Sequence, residues 1–132
     1  MIRRVFLAFL LFGVTACGGD GTGLENVIGT YLLETADGDP LPWVLFQVGD
    51  DKIEVTAGSV TLNADRTCSD SLTLEITEGG NVDSDPETDE CTYITNGQTI
   101  TLTYTDNTVS VSTIIGSALT ITDDGVAFTF RK

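Results

Sequence analysis

The side chains able to do chemistry in this chain are three cysteines and twenty carboxylates, with no histidine among the 132 residues. Without an imidazole there is no Ser-His-Asp triad, no Cys-His dyad and no His-ligated zinc. A nucleophilic thiol needs a neighbour that lowers its pKa, and the chain holds only six Lys and Arg to supply one. Carboxylate pairs could act as acid and base, yet no pair is set apart by its sequence surroundings. The expectation is a protein that is not an enzyme, with no cofactor and no metal. Residues 81–90, NVDSDPETDE, alternate acids in a way that suits calcium. They lack the central Gly and the terminal spacing of an EF-hand loop, so they read as a solvated acidic loop.

Cys17 differs from the other two cysteines in its setting. Arg3 and Arg4 form a short basic segment, and Val5 to Val14 is almost wholly apolar. That run has the length of a signal h-region and falls short of the ~20 residues a membrane-spanning helix needs. It ends in Val14-Thr15-Ala16-Cys17. These four residues resemble the lipobox of bacterial lipoproteins: an aliphatic residue, a small or β-branched one, a small one, then Cys. The resemblance implies cleavage before Cys17, a diacylglyceryl thioether on its sulfur and acylation of the new N-terminus. Each buried methylene contributes ~0.8 kcal/mol, and two or three chains anchor stably where one does not. The glycine-rich stretch after Cys17 reads as a flexible tether. The expected divisions are a cleaved signal peptide at 1–16, a lipidated tether at 17–28 and one domain at 29–132. Gly18, rather than Asp, after the Cys resembles outer-membrane sorting. The expected location is the cell envelope, lipid-anchored, leaning to the outer membrane and facing periplasm or cell surface.

Loss of Arg3 and Arg4 with the signal leaves four cations against twenty acids, a net charge of −16. Binding a phosphate backbone needs a basic surface, so no nucleic-acid partner is expected.

From Gly29 onward, short runs of Thr, Val, Ile, Leu and aromatics alternate with turn signals. A two-residue turn at Asn96-Gly97 pairs Tyr93 with Ile100 and Cys91 with Leu102. Asp106-Asn107 pairs Tyr104 with Val109 and Leu102 with Val111. Asp124-Gly125 pairs Ile121 with Phe128 and Leu119 with Phe130. Thr92, Thr99, Thr101, Thr103, Ser110 and Ser112 then fall on a wet face. To keep the faces consistent, Gly116 to Ala118 must form a three-residue loop that pairs Ile115 with Leu119. An odd loop is likewise needed at Ala64-Asp65-Arg66. The pattern predicts an all-β antiparallel meander of eight or nine strands that closes into an up-and-down barrel, with a two-sheet sandwich as the alternative.

Cys68 and Cys91 are symmetric about Gly79-Gly80, so a hairpin turning there sets them opposite each other on the core face. A cross-strand disulfide is expected in an exported domain. The same register would put Asp83, Asp85 and Glu87 on the core face and Pro86 in a strand. Buried carboxylates and a strand proline are both costly, so residues 81–90 are expected to loop out.

Gly29-Thr30-Tyr31 looks like the G-x-W motif that opens lipocalins, with Tyr for Trp. The chain ends Phe128-Thr129-Phe130-Arg131-Lys132, and lipocalin-like barrels often carry a late Arg over the first-strand aromatic. The resemblance implies a small lipocalin-like barrel closed by Arg131 stacked on Tyr31. Such a barrel can hold one small apolar ligand at its mouth. Trp43, Leu45 and Phe46, on both faces of one strand, are the candidate ligand or contact patch. The alternative is a solid-cored interaction lipoprotein that meets an envelope protein through its outer surface.

Overall fold

The computed structural model describes residues 27–132. The lipobox, Cys17 and the signal segment lie outside them. Ten antiparallel strands follow in order: β1 (Gly29–Ala36), β2 (Asp39–Pro40), β3 (Trp43–Val48), β4 (Asp51–Leu62), β5 (Thr67–Glu78), β6 (Asn81–Asn96), β7 (Thr99–Tyr104), β8 (Val109–Ile115), β9 (Ala118–Asp123) and β10 (Val126–Arg131). Each strand from β4 to β10 pairs with the next, β10 pairs with β1, and β1 closes the circuit on β4. The result is an eight-stranded up-and-down barrel of lipocalin-like architecture. The short strands β2 and β3 flank the β1–β4 seam, where β1 takes β2 and β4 takes β3 as further partners.

The strand directions give the barrel two unlike ends. The floor carries Val27, the turns after β4, β6 and β8, and the C-terminus. The mouth carries the turns after β1, β5, β7 and β9. The floor half is solid: Tyr31, Val60, Ile100, Leu102 and Leu119 are wholly buried there. Val27, assigned to the tether by its position, is buried with them.

The Tyr31 phenol donates to Val27 O at 2.7 Å and so ties the incoming chain to the core. Lys132 lies over the Tyr31 ring, with Nζ 5.2 Å from its centre, and donates to Ile28 O at 2.9 Å. The cation over Tyr31 is therefore Lys132, not Arg131. Strand alternation explains why Arg131 is displaced: Phe130 points into the core, so Arg131 points out, and Lys132, just past the end of β10, turns back over the Tyr31 ring. Arg131 Nε instead pairs with Glu34 Oε1 at 3.1 Å on the surface. Exposed ion pairs contribute little, whereas a cation on a buried ring contributes ~0.5–2 kcal/mol. Lys132→Ala should thus lower the melting temperature by more than Arg131→Ala does. Equal losses in thermal unfolding would contradict this closure.

Most hairpins follow the turn residues. The three-residue loop at 64–66 brings Leu62 opposite Cys68, and Asp124-Gly125, both at positive φ, set Ile121 opposite Phe128. Gly97 takes the first central position of its turn at φ 64°, so the two-residue loop is Gly97-Gln98. This slides the pairing by two residues, setting Tyr93 opposite Leu102 and keeping every face.

Strand β8 overturns one expectation. The β7–β8 loop has three residues, with Asn107 left-handed at φ 71°, the usual form of a loop one residue longer than the minimum. Leu102 then faces Ser110 and Ile100 faces Ser112. Val109 and Val111 are exposed, while Ser112 is buried and donates to Ile100 O at 2.9 Å. With β8 turned over, the three-residue loop at Gly116 is not needed. The turn is Gly116-Ser117, and Ile114 faces Leu119.

Residues 81–90 do not loop out either. They continue β6 in the register fixed by Cys68 and Cys91, with Leu72 opposite Glu87 and Ile76 opposite Asp83. The carboxylates stay hydrated because the β5–β6 hairpin runs past the shorter β7, whose pairing with β6 ends at Cys91–Tyr104. Every residue from Asn81 to Glu90 is exposed. Beyond that point β6 is an edge strand, where Pro86 and repeated acids are tolerated and discourage edge-to-edge pairing.

Candidate functional site

The unequal strand lengths open the barrel on one side. Above the solid floor half lies a cavity of about 580 Å³ that reaches the mouth. Its deep end is apolar. Ile121 of β9 and Phe130 of β10 are buried there, with Phe128 and Leu72 half-buried beside them. Its outer part is acidic. Asp70 of β5, Glu87 and Asp89 of β6 and Asp123 of β9 all line it. Strand alternation places them: Asp70 follows the buried Cys68 by two residues, Asp89 precedes Cys91 by two, and Asp123 follows Ile121 by two. Tyr104 and the flipped Ser110 complete the wall.

Asp70 is the most enclosed of these acids. Its Oδ2 accepts a 2.6 Å hydrogen bond from the Tyr104 phenol. Burial pushes the Asp70 carboxyl above the usual carboxylate range; the Tyr104 bond opposes this, and the charges of Asp89 and Asp123 add to it. Burial also raises the Tyr104 phenol, helped by its bond to Asp70. Asp106, in the β7–β8 loop at the rim, is held below its usual value by hydrogen bonds from the Thr108 hydroxyl and amide. These bonds stiffen the loop that borders the cavity.

The raised Asp70 pKa has a sign for stability. The folded protein holds this proton more tightly than the unfolded chain, so stability falls as pH rises through the interval above 3.8. Once ionised, the carboxylate opposes folding. Asp70→Asn can still accept the Tyr104 bond, so it should raise the melting temperature at pH 7, with the gain disappearing below pH about 4. A lower melting temperature at pH 7 would show that the charge supports the fold.

Trp43, Leu45 and Phe46 do not line the cavity. Trp43 packs inward, edge-on against Phe128 with ring centres 6.4 Å apart. A bulge after Val44 leaves Leu45 and Phe46 exposed on the outer strand β3, together with Val48. Gly29, Tyr31, Arg131 and Lys132 belong to the floor, away from the cavity. Cys68 and Cys91 form the disulfide, with Cα atoms 4.9 Å apart in the solid core. Among the described residues, no group of three acids or cysteines is placed to hold a metal ion. The inward acids Asp70, Asp89 and Asp123 were not among the expected site residues. Their signal was parity with Cys68, Cys91 and Ile121.

No known protein family, characterised protein or solved structure matches this chain.

Proposed function

We propose that this chain is a lipid-anchored lipoprotein of the cell envelope whose lipocalin-like barrel holds a small molecule in its mouth. The observation that carries the reading is the division of the barrel interior. The floor half and the β1–β4 side of the mouth half are filled with side chains, whereas the side walled by β5 to β10 keeps about 580 Å³ open above an apolar base. Cavities of this size enclose small organic ligands. The anchor fits the same geometry. Val27 enters at the floor, so a tether from Cys17 would hold the barrel by the end opposite the mouth.

Native mass spectrometry of the full chain, purified from its own membrane, tests both parts. The expected result is a mass carrying acyl chains on Cys17 and a small-molecule adduct that leaves on unfolding. A Cys17→Ser chain should lose the acyl mass and leave the membrane fraction. A ligand-free wild-type barrel would contradict the carrier reading, and an unacylated Cys17 would contradict the anchor.

The exposed apolar stripe of β3 supports a second reading, contact with an envelope protein. If this holds, Phe46→Ser should abolish recovery of a cross-linked partner and leave the melting temperature unchanged.

A further inference from the structure

Resting on the reading of the mouth as a ligand site, we propose that the ligand is an organic cation with an apolar body, an amphiphilic amine. The cavity is built in two parts that match the two parts of such a molecule. Its deep end offers Phe128, Phe130 and Ile121 to an apolar group, and its outer wall offers the carboxylates of Asp70, Asp89 and Asp123 to a charge.

No basic side chain lines the cavity. Of the four cations in the described residues, Arg66, Arg131 and Lys132 lie at the floor. Lys52 pairs with Glu54 on β4, at 3.3 Å. The barrel is therefore charged unequally along its axis, and low-dielectric walls focus an acidic field at the opening. A fatty acid or other anion entering there would meet like charges with no cation among them.

An ammonium group pairing with Asp70 would lie beside the Tyr104 hydroxyl oxygen, a second acceptor for its protons. The spacing of the carboxylates also favours an organic cation over a metal ion, because no three described acids converge closely enough for coordination. The same burial that makes Asp70 unfavourable to folding leaves it to be offset by a bound cation.

The test is calorimetric titration of the full-length protein in phosphatidylcholine nanodiscs, with empty nanodiscs as the blank. Three small probes share one aromatic body: phenethylammonium, 2-phenylethanol and 3-phenylpropanoate. The expected order is the ammonium at least tenfold tighter than the alcohol, and the carboxylate weakest. Asp70→Asn should lose most of the ammonium preference and keep the alcohol affinity. Asp123→Asn, at an exposed rim position, should lose a smaller part and serves if Asp70→Asn folds poorly. Added salt should narrow the preference. Equal affinities, or the carboxylate binding best, would overturn the amine assignment and leave the carrier reading standing. Binding of none of the three would overturn both.

Discussion

Tyr31→Ala is expected to destabilise the barrel by about 3–5 kcal/mol, the range for emptying a buried aromatic site. Small domains are stable by only about 5–15 kcal/mol, so much of the protein should unfold at moderate urea. The ring is wholly buried at the floor, where β1 meets β4 and β10. Its loss would empty the site to which the Tyr31 hydroxyl ties Val27 and over which Lys132 lies. Tyr31→Phe keeps the ring and removes only the hydroxyl bond to Val27 O, so about 1 kcal/mol should go. Urea midpoints of the two variants separate packing from hydrogen bonding. Equal losses would mean that the ring does not hold the floor. The phenol adds a check at high pH. Burial, with a contribution from Tyr93, pushes its pKa from 10.0 up to about 12. The folded state then keeps a proton that the unfolded chain releases, so stability should fall as pH rises from about 10 to about 12. Tyr31→Phe should show a shallower decline there.

Replacing Cys68 and Cys91 together by Ala should have the next largest effect. The bridge closes a loop with a sequence separation of 23, and releasing a loop of that size costs about 3 kcal/mol in the chain-entropy account. Both residues sit in the solid core, so two small packing losses add to this. The β5–β6 hairpin should keep its register, because the Gly79-Gly80 turn and the long ladder fix it independently. The variant should be less stable in urea and still bind at the mouth. Loss of binding without loss of stability would contradict the proposed separation of a structural floor from a ligand-holding mouth.

The turn residues made most of the ladder legible. Asp124-Gly125, Gly79-Gly80 and the 64–66 loop each set a register that needs no tertiary information. The β7–β8 loop was illegible for a local reason. Asp106-Asn107 suits both a two-residue turn and a three-residue loop with left-handed Asn107, and the choice reverses every side chain of β8. Reading it short put Val109 and Val111 inside and forced a compensating extra residue at Gly116. In the structure these valines are outside, and Ser110 faces the cavity.

The site was hidden by a rule that holds only inside a closed core. Inward carboxylates at 83, 85 and 87 look prohibitive if every strand residue on that face is buried. Strand length decides otherwise, since β6 outruns β7 and its inner face there meets water. Asp70, Asp89 and Asp123 mark the level at which the core gives way to the mouth. Cys17 lies outside the described residues, so the reading of the anchor still rests on Val14-Thr15-Ala16-Cys17.

Trp43 provides the most direct measurement of the mouth. It is the one tryptophan of the chain and packs on Phe128, which lines the cavity. Its emission should be quenched by energy transfer to N-phenyl-1-naphthylamine bound within the barrel. Titration of the full-length protein in nanodiscs should show saturable one-to-one quenching. Ser110→Phe, which fills the cavity wall, should abolish it without lowering the melting temperature. Quenching that never saturates, or that is the same in Ser110→Phe, would contradict a ligand site in the mouth of the barrel.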